Sequence, residues 1–103
     1  MDALKGLKFD WVDRHYAEVD WQDMPVAFII DCFKSSRRKF KFEIEQIIFD
    51  CDGDERAFDV PVSKKILKSA SIFEAKIKAV SALQDWVTSG NAERLMRAAF
   101  HLQ

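Results

Sequence analysis

The sequence has few of the residues that interrupt regular structure or cross-link a chain. Its 103 residues include 3 glycines, 2 prolines and 2 cysteines. With no linker or low-complexity segment, we expect one small globular domain over residues 1–103. Two cysteines are too few for a disulfide framework, which favours a reducing compartment, and we expect a cytoplasmic protein.

Long apolar runs and an excess of one charge are also missing. The longest purely apolar run, residues 26–30, is far shorter than the ~20 residues that cross a bilayer. Residues 1–6 do not resemble a signal peptide, so we expect no membrane association. The balance of 16 basic and 17 acidic residues argues against a dedicated nucleic-acid-binding domain, which is usually strongly basic.

The first half of the chain has the hydrophobic pattern of β-strands. Residues 39–49 alternate between apolar and charged side chains, which predicts a half-buried strand. Residues 26–33 suit a central strand or a buried helix, and their β-branched content favours the strand. Residues 7–21 fit short strands, although a helix fits nearly as well. A turn over residues 50–55 and a return strand over 58–62 complete an antiparallel meander of about three to five strands over residues 7–62.

The second half of the chain has helical periodicity. Ser71 and Glu74 form a capping-box pattern that begins a helix over residues 72–88, and Gly90 ends it. A second helix is expected over residues 92–102. Both helices carry apolar faces, and the wide face of the first includes Phe73 and Ile77, which we expect to be covered. The predicted fold class is α+β, with the helices packed on the sheet.

The segment after residue 47 contains closely spaced carboxylates. Asp50 and Asp52 lie in a sequence that resembles the first motif of the haloacid dehalogenase-like phosphatases, which would make them nucleophile and general acid. Asp50, Asp52 and Asp54 also resemble an EF-hand loop, but that loop requires Gly and Glu where this chain has Glu55 and Pro61. The phosphatases have a parallel sheet and a downstream acidic pair that this chain lacks. We therefore interpret the segment as a hairpin turn.

Two basic segments, residues 34–41 and residues 64–68, are candidates for phosphate binding. The second segment follows the last predicted strand and resembles the Lys-Lys-x-x-Lys cluster of double-stranded-RNA-binding domains. This chain lacks the glycines that precede the cluster in those domains, and it lacks a convincing first helix. The candidate residues are Arg37, Arg38, Lys39, Lys41, Lys64, Lys65 and Lys68. They support nucleic-acid binding as the alternative function.

The sequence offers no catalytic or metal-binding set. His15 and His101 lie near opposite ends of the chain, and neither Cys32 nor Cys51 has a ligand-spaced neighbour. We interpret both cysteines as small buried hydrophobic residues. The prediction is a protein without enzymatic activity, metal or cofactor, and its oligomeric state stays open.

The N-terminal third mixes aromatic and acidic residues in the manner of a protein interface, where aromatics anchor and acids steer a basic partner. The candidate residues are Trp11, Asp13, Tyr16, Glu18, Asp20, Trp21 and Asp23. We therefore predict a protein-binding module, such as an inhibitor, immunity protein or adaptor. The expected partner is a larger protein, with one that handles nucleic acid favoured by the sign of the charge.

Overall fold

The computed structural model describes residues 3–101 and contains a five-stranded antiparallel sheet in the order β1-β2-β3-β4-β5. This confirms the predicted meander, in which each strand pairs with its neighbour in sequence. Residues 7–21, for which a helix fitted nearly as well, form strands. The strands are β1 (Leu7–Trp11), β2 (Tyr16–Trp21), β3 (Val26–Ser36), β4 (Lys39–Phe49) and β5 (Glu55–Asp59).

The helices follow the sheet in the chain, as the sequence predicted. A 3-10 turn, Ala3–Gly6, precedes β1, and the α-helices are α1 (Lys64–Leu67), α2 (Ile72–Thr88) and α3 (Asn91–His101). No helix within residues 3–101 has the length and apolar character needed to cross a membrane.

The Ser71 cap of α2 matches its prediction, whereas the Glu74 side chain bonds one residue before the position that a reciprocal capping box uses. The Ser71 hydroxyl accepts a 3.1 Å hydrogen bond from the Glu74 amide, and the Glu74 carboxylate accepts one from the Ala70 amide. The pKa of Glu74 lies below its usual value, mainly because the carboxylate accepts a hydrogen bond from Lys78 and to a smaller extent because it accepts the one from Ala70.

The core lies between one face of the sheet and the helices. Phe28, Ile30, Phe42 and Ile44 are buried on that face because alternate residues of a strand point to the same side. From the helical side, α2 contributes its buried residues and α3 contributes Ala92 and Ala99. This packing leaves the other face of the sheet without a covering helix among the described residues.

The expected position of the last strand needs correction. The last strand begins at Glu55 rather than at residue 58, because pairing resumes directly after the turn, with Glu55 opposite Phe49. Val60 is buried beyond the end of that strand. The side of α2 that packs on the sheet consists of Ala75, Ala79, Leu83 and Val87.

The wide apolar face of α2 is therefore only partly covered. Phe73 and Ile77 remain 69% and 56% exposed. Small alanines let the helix approach the sheet closely, and the larger residues beside them are displaced to its flank. The expectation that both cysteines are buried also fails, since Cys32 is buried but Cys51 is exposed in the turn.

Candidate binding surface on the open face of the sheet

The uncovered face of the sheet is strongly acidic. Successive side chains of a strand point to opposite faces, so this face carries the residues that alternate with the buried ones. The basic residues at these positions are Lys8, Lys39 and Lys41. We call this surface the acidic face; its carboxylates are Asp10, Glu18, Asp20, Asp31, Glu43, Glu45, Glu55 and Asp59.

The strand register sets several of these carboxylates directly opposite one another. Like-charged neighbours of this kind destabilise a sheet, by about 0.2–1 kcal/mol for each pair. The pairs are Asp10 with Glu18, Asp31 with Glu43, and Glu45 with Asp59.

No carboxylate of the acidic face forms a salt bridge within residues 3–101. The ion pairs of this part of the chain are Glu74 with Lys78 and Glu93 with Arg97, both within helices. The fold therefore keeps a concentration of negative charge, which Lys8, opposite Asp20 in the β1–β2 register, offsets only in part.

A shallow depression of about 190 Å³ lies in the middle of the acidic face. Its lining consists of Tyr16, Ile29, Asp31, Glu43 and Glu45. Partial burial, and then the charges of Glu18, Asp31 and Glu45, raise the pKa of Tyr16 above its usual value of 10.0. The neutral phenol is a hydrogen-bond donor, and the carboxylates that line the depression with it are acceptors.

Apolar groups accompany the acids on this face. Ile29, Ile47 and Phe49 are half-buried on β3 and β4, on the side away from the helices. Together with Tyr16 they provide contact area within a charged surround, an arrangement typical of protein interfaces.

The structure separates the interface residues predicted from the N-terminal third. Tyr16, Glu18 and Asp20 lie together on the acidic face, at alternate positions of β2. Trp11 and Trp21 have the opposite parity and pack against the core, on the other side of the sheet. The predicted surface is therefore divided between the two sides of the sheet.

The two remaining predicted residues of this set lie in turns. The Asp13 carboxylate accepts hydrogen bonds of 2.6 Å and 2.9 Å from the amides of His15 and Tyr16. Asp23 has a φ of 65° in the turn between β2 and β3. Asp13 thus shapes the connection between β1 and β2.

Sequence reasoning did not select the acids of the other strands as interface residues. The residues missed are Asp10, Asp31, Glu43, Glu45, Glu55 and Asp59. The available signal was their parity, because each of them except Glu55 is next in sequence to a core or half-buried side chain of its own strand. Finding them required the order of the strands, which brings segments distant in sequence to one surface.

The two basic segments approach each other at one end of the molecule. The Phe40 amide donates a 2.9 Å hydrogen bond to the Ser69 carbonyl, which places the start of β4 beside the segment after α1. The predicted residues at this end are all exposed: Arg37, Arg38, Lys39, Lys41, Lys64, Lys65 and Lys68. No helix precedes β1 except the 3-10 turn Ala3–Gly6 within residues 3–101, so the first helix of the RNA-binding domains is absent from this part of the chain.

The acidic turn is built by Asp50. Its carboxylate Oδ1 accepts 2.9 Å hydrogen bonds from the amides of Asp52 and Asp54, and its amide donates to the Asp54 carbonyl. This carboxylate therefore closes a hairpin, as interpreted from the sequence. The phosphatase-like motif implied a parallel sheet, whereas this sheet is antiparallel.

The acidic face is suited to an extended cationic surface. Over residues 3–101, no three His, Cys, Asp or Glu side chains converge in a way that could hold a metal ion. The carboxylates instead spread across strands spaced about 4.8 Å apart. No protein-family model, curated protein or solved structure matches the chain.

Proposed function

We propose that this protein is a non-enzymatic binding module, an inhibitor, immunity protein or adaptor, whose acidic face covers a basic site on a larger protein. The observation that supports this proposal is the set of like-charged pairs across the strands, above all Glu45 with Asp59. Each pair costs stability in the isolated protein. Such a cost persists at sites where function requires it.

A basic partner would reverse the sign of these interactions. Lys or Arg side chains placed between Asp31 and Glu43, or between Glu45 and Asp59, would each be attracted by both carboxylates. The same charge distribution would accelerate association with a positive partner and repel acidic ones. Electrostatics thus supports both the speed and the selectivity of binding.

The apolar residues of the acidic face provide the other half of the interface. Tyr16 and Ile29 line the central depression, and Ile47 and Phe49 lie on the adjoining part of β4. In known interfaces, aromatic and apolar residues at the centre carry most of the binding energy, and a polar rim excludes water. Tyr16 is the expected anchor.

The partner class follows from the distribution of charge. Carboxylates face one another across neighbouring strands about 4.8 Å apart, and on β2 and β4 they also occupy successive outward positions, about 6.6–6.8 Å apart along the strand. A flat array of this kind resembles a polyanion more than it resembles a single anionic ligand. A nuclease or another nucleic-acid-handling protein, with a basic surface for phosphates, is therefore the proposed target.

Affinity capture from lysate of the source cells tests this proposal when three forms of the protein are compared after nuclease treatment. The binding variant is Glu18→Gln/Glu45→Gln, which neutralises two carboxylates of the acidic face. The matched control is Asp52→Asn/Asp85→Asn, which removes the same charge from exposed positions elsewhere. We expect a protein retained by the wild type and the control, and lost by the binding variant.

Two outcomes would contradict the proposal. One is a set of captured proteins that is the same for all three forms. The other is loss of every captured protein when nucleic acid is digested, which would direct attention to the basic residues.

The second candidate is a nucleic-acid-binding domain, favoured by the bridge between Phe40 and Ser69 that brings both basic segments to one end. Arg37 and Arg38 form the turn between β3 and β4, and Lys64 and Lys65 lie on α1. Arg side chains in such a cluster bind phosphates bidentately.

A salt titration with a labelled double-stranded RNA distinguishes the two candidates. Phosphate binding predicts an affinity that falls steeply with salt and is lost in Arg37→Gln/Arg38→Asn. Asn is the suitable replacement at position 38 because the φ of 63° there is tolerated by Asn better than by Ala. No binding at low salt would eliminate this candidate.

A further inference from the structure

Within residues 3–101, no strand pairs with the outer edge of β1. β1 is the terminal strand of the sheet, and its ladder with β2 is flanked by bonds from the Val12 amide to Tyr16 and from the Gln22 amide to Gly6. Bonded pairs alternate along an antiparallel ladder, so the even-numbered residues of β1 bond to β2. The N–H and C=O groups of residues 7, 9 and 11 therefore point to the open edge.

An apolar stripe on α2 adjoins the same edge. Trp11 of β1 and the helix residues Phe73, Ile77 and Val80 line a groove of about 410 Å³. Phe73 and Ile77 are the most exposed large apolar residues of α2, and Lys76 lies 4.2 Å from the centre of the Trp11 ring. An open strand edge and an exposed helix flank thus form one continuous surface.

The charge pattern of β1 is self-complementary. When two copies of the strand pair antiparallel about a two-fold axis at Phe9, Leu7 lies opposite Trp11 of the second copy. Lys8 then lies opposite Asp10 of the second copy, on the open side of the sheet, in the closer type of cross-strand pair. By symmetry, the opposite-charge pair occurs twice.

The neighbouring registers are unfavourable for the same charges. A shift by one pairing step in either direction keeps the outward backbone groups of β1 facing each other. One shift places Lys8 opposite Lys8 of the second copy, and the other places Asp10 opposite Asp10 of the second copy. Both pairs are repulsive. Of these three registers, only the one centred on Phe9 places opposite charges together and forms backbone hydrogen bonds at all three outward residues.

We propose that the protein forms a two-fold homodimer in which the β1 edges pair in the register centred on Phe9 and the α2 stripes of Phe73 and Ile77 cover each other. The two sheets become one continuous sheet of ten strands. Lys8 of each copy then offsets the repulsion between Asp10 and Glu18 of the other. This inference does not depend on the proposed target of the acidic face.

Sedimentation velocity of the full chain over a range of concentrations provides the test. We expect a mass of twice 12.0 kDa at high concentration. Lys8→Asp replaces both attractive pairs of the dimer by repulsive ones and is expected to weaken dimerisation about tenfold or more. The double exchange Lys8→Asp/Asp10→Lys restores opposite charges in the same register, and we expect it to recover dimerisation to within about threefold of the wild type.

The contribution of the α2 stripe to the dimer is tested separately by Phe73→Ser/Ile77→Ser. Both side chains are exposed in the monomer, so the fold is expected to persist, as checked by circular dichroism, while the dimer is lost. A wild type that stays monomeric at every concentration would overturn the proposal. So would a Lys8→Asp variant that dimerises unchanged, or a charge exchange that fails to rescue it.

Discussion

The indole Nε1–H of Trp86 donates a 2.7 Å hydrogen bond to Oε1 of Gln46, a side chain that is completely buried in the sheet. The other end of the same amide donates a 2.9 Å bond to the backbone carbonyl of Ala92 at the start of α3. Gln46 therefore connects β4 to both long helices. A buried polar group of this kind is favourable only while both of its ends are bonded.

We expect Gln46→Leu to lower the free energy of unfolding by about 2 kcal/mol or more, because it leaves the Trp86 N–H and the Ala92 carbonyl without partners. Urea denaturation measures the change. In a double-mutant cycle with Trp86→Phe, the combined loss should be smaller than the sum of the single losses, since the same bond is removed twice. Strict additivity would show that the bond contributes nothing.

Neutralising one member of a like-charged pair should stabilise the protein. Glu45→Gln or Asp59→Asn removes a repulsion across β4 and β5, and we expect the free energy of unfolding to rise by about 0.2–1 kcal/mol. Glu93→Gln, which breaks an ion pair within α3, is the control and should lower stability slightly. If both classes of variant lost stability, the acidic face would not be under electrostatic strain.

Added salt provides an independent measurement of the same repulsion. Ions screen exposed charges over about 8 Å at physiological ionic strength, so the wild type should become more stable between low and moderate salt. The gain should be smaller in Glu45→Gln. Thermal unfolding at two salt concentrations is sufficient to compare them.

The single tyrosine of the chain reports on the acidic face. Burial and the charges of Glu18, Asp31 and Glu45 raise the pKa of Tyr16, so we expect Asp31→Asn and Glu45→Gln each to lower it towards 10.0. Ultraviolet absorbance of the tyrosinate measures the titration, and Asp52→Asn in the turn should leave it unchanged. An equal shift in all three variants would assign the effect to net charge alone.

The direction of this pKa also predicts a dependence of stability on pH. The folded protein holds the Tyr16 proton more tightly than the unfolded chain does. Its contribution to stability is therefore fully present below the unfolded pKa of about 10 and is lost as the pH rises through the higher folded pKa. Denaturation of Tyr16→Phe at alkaline pH should show a weaker decline than the wild type.

The two cysteines should differ sharply in reactivity. Burial raises the pKa of the Cys32 thiol to about 11 and leaves it 1% exposed, whereas Cys51 is exposed in the turn after β4. Because the thiolate is the reactive form, an alkylating reagent should label Cys51 alone in the folded protein and both residues in denaturant. Mass spectrometry counts the labels, and Cys51→Ser should take none until it unfolds.

Local patterns in the sequence predicted the elements they directly control. The alternation over residues 39–49 predicted β4, and the Ser71 and Glu74 pattern predicted the first residue of α2. Both signals act between neighbouring residues, through the direction of strand side chains and through the orphan amides at the start of a helix. The last strand was misplaced because apolar residues 58, 60 and 62 suggested a strand, while only Phe58 lies in β5.

The sequence by itself therefore determined the α+β class, the strand over residues 39–49 and the α2 boundaries, whereas residues 7–21 fitted a helix nearly as well as the strands they form. Only the tertiary structure decided which surfaces stay open. The small residues Ala75 and Ala79 bring α2 against one side of the sheet, which leaves Phe73 and Ile77 on its flank. The same packing puts Trp11 and Trp21 on the core side of the sheet and gathers acids from all five strands on the opposite face. Local sequence cannot specify such a surface, because it depends on which strands become neighbours and which of their faces a distant helix covers.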